Sequence, residues 1–429
     1  MLNQKNLILS LSFLFYLLPA ALITGPFFSD LIITILAIFF FFISLKNKEW
    51  IYYNNNYTKF FLLFYIYLLI SSIWAENTLY SLKSSIPYVR FLLFSLAIVY
   101  LSKVNKNFYN SFFKFTFLTV LFVIIDAYIQ FLFGKNLFNQ EIYHIRDAYT
   151  LTSTARISGL FGDELILGSY ISRLIFILIG LYIFCEKKYN HLFFLIFLIS
   201  AFIIVFITGE RLAFFILLFC ILYIFTQISS YRSKFMIFLI VFFSIIFLLV
   251  SMNESLKNRM IISTFAFLEN DKTRAYTNEE NFVIFSPNHH ELYLASYKMF
   301  LKKPILGHGH KMYKEICKNY KNRSVSSCST HPHNIVLQIG VDNGIIGLLF
   351  LFAVYLYLIK LFFYNLKRSR KYEKDKSVFY QICLLSIITA NIFPLVPSGN
   401  FFNNWLSILY YLPVGFYLSV TMSKDNKYE

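Results

Sequence analysis

Long apolar runs are the feature that most constrains how this chain can fold. Twelve of them lie at 7–23, 30–45, 59–73, 87–102, 112–133, 165–184, 191–207, 212–227, 235–250, 334–364, 377–394 and 404–422. A helix needs about 20 apolar residues to cross the hydrocarbon core of a bilayer. The chain is 58% hydrophobic and 14% charged, and a soluble globule of that composition would expose extensive apolar patches. The sequence therefore predicts an all-α fold, a polytopic bundle of about 12 transmembrane helices.

Positive residues alternate between the two sides of these spans. One side carries Lys5, Lys46, Lys48, Lys103, Lys106, Lys187, Lys188, Arg232, Lys234, the basic residues of 367–376, Lys424 and Lys427. The positive-inside rule makes this side cytoplasmic and predicts that both termini lie there. The first apolar run looks like a signal peptide, but no polar segment separates it from the second run, so we expect an uncleaved helix. The net charge of +17 is then mainly an orientation signal, and no nucleic-acid partner is expected.

Two longer segments, 134–164 and 251–332, fall on the outer side. We predict nine transmembrane helices in 1–250, an outer loop domain in 251–333, and three more helices with a cytoplasmic tail in 334–429. Apolar residues between Leu292 and Phe300 repeat at three-to-four spacing, which favours an amphipathic helix in the loop domain.

Five cysteines divide by position. Cys185, Cys220 and Cys383 fall in or at the ends of spans, where a free Cys behaves as a small hydrophobe. Cys317 and Cys328 lie in the outer segment, in a compartment expected to be oxidising, and we predict a disulfide between them. The alternative is two unpaired loop thiols.

Histidines are concentrated in the outer loop. Six of the eight lie within it: His289, His290, His308, His310, His331 and His333. This pattern is compatible with a polar loop or with a metal site, but no His-Glu-x-x-His motif follows His290, and no metal is predicted. His333, followed by Asn334, stands at the start of a long apolar span, where a histidine can act as general base on a hydroxyl. The alternative for His333 is an ordinary surface histidine, and Asn334 can bind substrate or cap the helix.

Two arginines occupy the predicted outer rim, in a chain that otherwise prefers Lys. Arg156 precedes a turn-rich stretch that ends at Glu164, and Arg211 follows Glu210 in a tight turn between two spans. A guanidinium offers a planar fork for phosphate or carboxylate. The alternative for Arg211 is a membrane anchor or an ion pair with Glu210.

Three charged residues fall inside predicted spans. Arg90, Asp126 and Arg173 are costly in a bilayer unless they are paired or face a cavity, and structural pairing is the favoured interpretation.

These motifs together resemble the O-antigen ligase/polymerase family of bacterial envelope glycosyltransferases. The matching pieces are Arg156-Ile-Ser-Gly-Leu-Phe-Gly-Asp-Glu164, Thr208-Gly-Glu-Arg211, Pro304-Ile-Leu-Gly307 with Gly309, Cys317, Cys328, Thr330-His-Pro-His-Asn334 with Gly344 and Gly347, and Pro397-Ser-Gly-Asn-Phe-Phe-Asn-Asn-Trp405. Many relatives carry an Arg or His near the start of the loop helix, where this chain has His289 and His290 and lacks Arg.

The resemblance implies a multi-pass enzyme of the bacterial inner membrane. It would move a glycan from undecaprenyl pyrophosphate to a hydroxyl, on lipid A-core or another acceptor, at the periplasmic face. By carry-over His333 would be the catalytic base, and Arg156 and Arg211 would bind the donor pyrophosphate. The supporting positions would be His331, Asn334, His289, His290, Glu164 and Glu210. Members of this family are regarded as metal-independent, and no cofactor is expected.

Three activities within the family share this carrier chemistry. The spacing from His333-Asn334 to Gly344 and Gly347, with the compact outer loop, favours a ligase over an O-antigen polymerase or a protein O-oligosaccharyltransferase. A transporter or flippase is the alternative from another class. Transporters place their functional polar groups at midplane, often in paired repeats. Here the candidate functional residues cluster at the outer rim, and the sequence shows no internal repeat.

Overall fold

A computed structural model describes residues 4–146, 153–185, 191–229, 232–265, 286–319, 328–372 and 374–425. The helices are α1 (Gln4–Tyr16), α2 (Leu18–Ala21), α3 (Pro26–Lys46), α4 (Asn56–Ile73), α5 (Thr78–Ser85), α6 (Arg90–Val104), α7 (Phe108–Phe133), α8 (Leu167–Phe184), α9 (His191–Ile207), α10 (Arg211–Gln227), α11 (Arg232–Met252), α12 (Glu254–Lys257), α13 (Pro287–Lys302), α14 (Tyr313–Lys318), α15 (Ile335–Lys371), α16 (Lys376–Asn391) and α17 (Asn404–Asp425). Short 3-10 turns lie at Trp50–Tyr52, Ile86–Val89 and Gly159–Phe161, and a π turn lies at Asn258–Ile262. Strands β1 (Tyr143–Arg146) and β2 (Ser153–Arg156) form an antiparallel hairpin.

Each of the twelve apolar runs coincides with helical structure, which confirms the prediction of a helical membrane protein. Within the described residues, eight helical segments are long and apolar enough to cross a bilayer, and three apolar helices are shorter. In the described part of the predicted outer segment 134–164, the β1–β2 hairpin departs from the helical pattern.

The chain forms two compact units that cut across the sequence order. The first contains Met1–Phe28, Asn105–Ala275 and Phe362–Asn391, and the second contains Ser29–Val104, Tyr276–Leu361 and Ile392–Glu429. The segment 251–333 is therefore divided between the units, and its assignment as one outer loop domain stays a prediction.

Helix α8 is the centre of the first unit. It packs against α16, α10, α9 and α7, and most of its residues are buried. Two polar groups in this unit are satisfied locally. Asp126 accepts hydrogen bonds from Leu137 N (3.0 Å) and Asn136 Nδ2 (3.2 Å), and the Arg173 guanidinium donates to Ser169 O (3.1 Å).

The second unit is built on the packing of α6 against α17. Its intramembrane cation, Arg90, forms an ion pair with Asp30 at 2.7 Å. The structure thus gives Arg90, Asp126 and Arg173 protein partners, the arrangement that makes a polar group tolerable inside a membrane.

A break in α15 shapes the second unit. Gly344 has a φ of 63°, so the helix is interrupted there, and a Cβ at this position would collide with Ile305 O. The segment Pro304–Gly309 satisfies the backbone groups that the break releases. His308 N and Gly309 N donate to Val341 O (2.9 Å) and Asp342 O (2.8 Å), while Ile345 N donates to Pro304 O (2.7 Å). This pairing fixes the backbone on either side of His308.

Candidate active site

The turn between α9 and α10 organises a set of arginines in the first unit. Gly209 adopts a φ of 67°, a left-handed conformation that glycine enters without a steric penalty. The turn presents two carbonyl oxygens to guanidinium groups. Arg156 Nε donates to Thr208 O at 3.1 Å, and Arg259 Nε donates to Gly209 O at 3.2 Å.

Arg211 completes this group by a contact to the same segment. Its Nη2 donates to Arg259 O at 3.1 Å. We call Arg156, Arg211 and Arg259 the arginine cluster. The sequence analysis named the first two and missed Arg259, which lies in a stretch interpreted only as loop. The signal that could have found it is the use of Arg, rather than the more common Lys, on the predicted outer side.

Glu210 has a different partner from the one its position beside Arg211 suggests. Its carboxylate accepts from Gly168 N (2.7 Å) and Ser169 N (3.0 Å), so it caps the first turn of α8. Burial raises the pKa of Glu210, and Arg156 and the two backbone amides oppose that rise. Burial lowers the pKa of Arg156, an effect that Glu210 opposes. One carboxylate does not neutralise three guanidiniums, so the arginine cluster keeps a net positive charge suited to an anion.

The hydrogen bonds that hold the arginine cluster do not involve Glu164. It is exposed, in the turn before α8, where its backbone N donates to Phe161 O at 3.1 Å and its O accepts from Ile166 N at 2.9 Å. The structure therefore gives it a place in the turn, and its supporting role stays a prediction.

Three histidines come together in the second unit. The rings of His331 and His333 lie 4.1 Å apart between centroids, and those of His289 and His333 lie 5.7 Å apart. His289 sits in the first turn of α13, where its Nδ1 is 2.7 Å from the Oγ of the N-cap residue Ser286. We call His289, His331 and His333 the histidine cluster.

His333 is held in an unusual backbone conformation. Its φ is 53°, and few residues other than glycine adopt positive φ without a reason. Its carbonyl accepts from Ser398 N at 2.7 Å, which helps to fix this geometry. Residues held in such conformations concentrate at functional sites.

The two neighbouring rings of this cluster differ in their environment. Burial lowers the pKa of His333 below its ordinary value, so the ring is neutral, and able to accept a proton, at neutral pH. His331 is buried, and desolvation, reinforced by His333, lowers its pKa to about 3. Its Nδ1 lies 2.9 Å from Thr330 Oγ1, and its Nε2 has no hydrogen-bond partner among the described residues. His333 is half-buried whereas His331 is buried, so His333 is the better-exposed base of the pair.

Asn334 caps α15. Its Oδ1 accepts from Val336 N (2.9 Å) and Leu337 N (3.1 Å), and its Nδ2 donates to Pro394 O (2.9 Å). Of the two roles open to Asn334 from the sequence, the contacts match the helix start.

Two other histidines of the predicted loop, His308 and His310, contact residues outside the histidine cluster. His308 is buried, with Nδ1 at 3.0 Å from Glu76 Oε1 and Nε2 at 2.9 Å from Met299 O. His310 is buried against Phe402, and desolvation lowers its pKa to about 3. His290 is also buried. Across the described ranges, no three His, Cys, Asp or Glu side chains are grouped as a metal site would require.

The cysteines of the predicted outer loop face each other. The structure joins Cys317 and Cys328 by a disulfide, with their Cα atoms 5.6 Å apart. Cys317 is buried in a small apolar core with Met299, Met312 and Tyr313, so the bond ties the stretch before His331 to that core.

Comparison with known proteins identifies a family that matches part of the chain. Residues 195–352 match the family described as O-Antigen ligase, which confirms the resemblance over that segment. The segment contains Arg211, Arg259 and the histidine cluster, whereas Arg156 precedes it.

Two curated relatives match shorter stretches. A protein of Rickettsia felis named "Putative polysaccharide ligase" is 37% identical over 106 residues, which is 23% of this chain and 26% of the relative. A protein of the same description from Rickettsia typhi is 36% identical over 97 residues, 21% of this chain and 24% of the relative. The matched stretches thus span about a quarter of each relative's length.

Proposed function

We propose that this protein transfers a preassembled glycan from undecaprenyl pyrophosphate to a hydroxyl of lipid A-core, as an O-antigen ligase at the outer face of the bacterial inner membrane. The observation that carries the proposal is His333, a neutral imidazole held by strained backbone within a cluster of histidines. The match to an O-antigen ligase family over 195–352 supports the reaction type.

The arginine cluster is suited to the donor's pyrophosphate. Transfer breaks the bond between the anomeric carbon and the phosphate oxygen, and the electron pair leaves with undecaprenyl pyrophosphate. Negative charge on that leaving group grows toward the transition state, so fixed guanidiniums stabilise the transition state more than the ground state. Backbone carbonyls of Thr208, Gly209 and Arg259 position one N–H of each arginine, which preorganises the cluster for this purpose. We include Arg259 with Arg156 and Arg211 in donor binding.

His333 is suited to activating the acceptor. In the proposed step its ring takes the proton of the acceptor hydroxyl as that oxygen bonds to the anomeric carbon. A base with a pKa below 6.5 is present in its neutral form at physiological pH. The rings of His331 and His289 pack against it and restrict its orientation.

Other activities of the family differ in the acceptor. A polymerase would use the sugar chain of a second carrier lipid, and a protein O-oligosaccharyltransferase would use a Ser or Thr hydroxyl. The ligase descriptions of the family and of the two relatives favour the ligase, as does the spacing from His333 to Gly344 and Gly347.

Gene deletion with lipopolysaccharide gel analysis tests the choice of acceptor. A ligase predicts loss of polymer-capped core while carrier-linked polymer accumulates. Core that bears a single repeat unit would indicate a polymerase, and unchanged lipopolysaccharide with loss of protein glycosylation would indicate the third activity. Complementation with His333→Ala should fail although the variant reaches the membrane at the wild-type level. Restoration of capped core by this variant would rule out the base role.

A further inference from the structure

A polar groove lies beside the β1–β2 hairpin of the first unit. It has a volume of about 440 Å³, and it is lined by the polar residues Gln140, Glu141, Tyr143, His144 and Asp163 and by Gly162. This volume falls within the roughly 300–1,000 Å³ that small-molecule sites occupy. The proposed roles of the arginine and histidine clusters do not use these residues.

One buried side chain links the two segments that form the walls of the groove, 140–144 and the stretch that ends at 162–163. Gln130 is fully buried, and its Nε2 donates to the carbonyls of Gln140 (3.1 Å) and Glu141 (3.2 Å). Its Oε1 accepts from Ser158 N (3.0 Å) and Gly159 N (2.8 Å), in the stretch that leads to Gly162. A single amide therefore fixes the separation of the walls.

A second buried amide orients Gln140. Asn136 Nδ2 donates to Gln140 Oε1 at 2.9 Å and to Gly159 O at 3.0 Å. Because Oε1 is thereby engaged, the Gln140 Nε2 is directed toward Gly162, where a Cβ would lie 3.2 Å from it. The donor of Gln140 is preorganised at the groove before any ligand arrives.

The groove adjoins the arginine cluster through the hairpin. Tyr143 pairs directly with Arg156 across the two strands. Directly opposed residues project from the same face, with their Cβ atoms about 5 Å apart. A ligand that places an anion on Arg156 can therefore extend along Tyr143 into the groove.

The chemistry of the lining fits a sugar better than a phosphate. Glu141 is neutralised by an ion pair with Lys135 at 2.9 Å. The Asp163 carboxylate repels an anion but accepts hydrogen bonds from hydroxyls, and the Gln140 amide donates one. Tyr143 is 41% exposed and offers an aromatic face to the apolar face of a pyranose ring. The groove therefore suits an uncharged glycan, whereas the arginine cluster suits a charged group.

We propose that this groove binds the sugar residues next to the pyrophosphate of the lipid-linked donor. This inference rests on the proposed function, because it assumes that the arginine cluster holds the pyrophosphate. It assigns the first sugar of the donor to Gln140, Tyr143 and Asp163, so these residues set which glycans are accepted.

Binding of two lipids to the purified full chain tests the groove separately from the arginines. The probes are undecaprenyl pyrophosphate and the same lipid that bears one N-acetylglucosamine, titrated in detergent and followed by native mass spectrometry. The wild type should prefer the sugar-bearing lipid. Asp163→Ala and Tyr143→Ala should lower that preference about tenfold, the effect of losing one charge-assisted or stacking contact, and leave affinity for the bare lipid unchanged. Tyr143→Phe, which keeps the ring, is the matched control and should retain the preference.

The outcomes separate the two proposals. An unchanged preference in Asp163→Ala and Tyr143→Ala, or no preference in the wild type, overturns the groove while leaving donor binding by the arginines intact. Arg211→Ala should weaken both lipids equally. If Arg211→Ala binds both as the wild type does, the arginine role fails, and the groove's assignment to sugars next to the pyrophosphate fails with it. Asp163 is exposed, so its removal should leave the thermal unfolding midpoint unchanged, and that measurement accompanies each titration.

Discussion

Replacing Asn334 distinguishes a residue that holds the active segment in place from one that touches substrate. The Asn334 side chain makes three hydrogen bonds, two from the first turn of α15 to its Oδ1 and one from its Nδ2 to Pro394 O. All of them are at least partly buried. The adjacent bond from Ser398 N to His333 O ties the same short segment to the loop that contains Pro394. Asn334 should therefore position His333 through the backbone.

The contacts set the size of the effect. Losing an N-cap side chain costs about 1 kcal/mol, and losing one partly buried neutral hydrogen bond costs about 1 kcal/mol more. Asn334→Ala should therefore lower the free energy of unfolding by about 2 kcal/mol. Asn334→Asp keeps the cap oxygen and loses only the amide donor, so it should cost about 1 kcal/mol.

Reversible unfolding of the purified protein in mixed micelles measures the predicted order of stability, in which Asn334→Asp lies between the wild type and Asn334→Ala. A glycan transfer assay accompanies it. Both variants should lower kcat and leave the KM for the lipid-linked donor unchanged, with Asn334→Ala the more impaired. Equal stability of the two variants would contradict the capping role. A variant that unfolds like the wild type yet fails to transfer would show that Asn334 contacts substrate.

Three further predictions concern the same clusters. Arg211→Lys keeps the charge but loses the planar fork and the bond to Arg259 O, so the KM for donor should rise about tenfold or more in steady-state assays; unchanged kinetics would make Arg211 a membrane anchor. Burial lowers the pKa of His333, and the neutral ring is the active form, so the acid limb of the kcat/KM profile should be centred below the value of an ordinary histidine, about 6.5; a limb centred above 6.5 would contradict this assignment. Non-reducing peptide mapping should recover Cys317 and Cys328 in one linked species, and recovery of both free thiols would contradict the disulfide.

Helices could be predicted from the sequence because their signal is local. Each apolar run is long enough to specify a helix by itself, and eight helical segments among the described residues reach the length of a membrane span. The break at Gly344 lies inside one of these runs, and hydropathy does not show it. The interruption depends on backbone partners in Pro304–Gly309, and such partners come only with the tertiary fold.

The density of histidines pointed to a candidate site but not to which histidines belong to it. The motif around His333 drew attention to a segment in which three rings meet. It did not separate His308, whose ring is bound by Glu76, 232 residues earlier in the chain. Long-range contacts of this kind leave no periodic trace in a sequence.

Arg259 and the polar groove show a second limit of prediction from the sequence. Arg259 joins the cluster because Gly209 O lies within reach of its Nε, and the groove lies beside the hairpin in which Tyr143 pairs with Arg156. Both depend on short elements within segments that hydropathy identifies only as loops. A polar outer segment can therefore be recognised from the sequence before its architecture can.

Glycan transfer by His333→Asn, reconstituted in vesicles with the lipid-linked donor and lipid A-core, tests the central claim most directly. Asn tolerates the positive φ that His333 adopts, so this variant removes the base and preserves the backbone. The account predicts that transfer falls at least about a hundredfold, the usual contribution of a general base, while donor binding stays within about twofold of the wild type. Transfer within tenfold of the wild-type rate would contradict the assignment of His333 as the catalytic base.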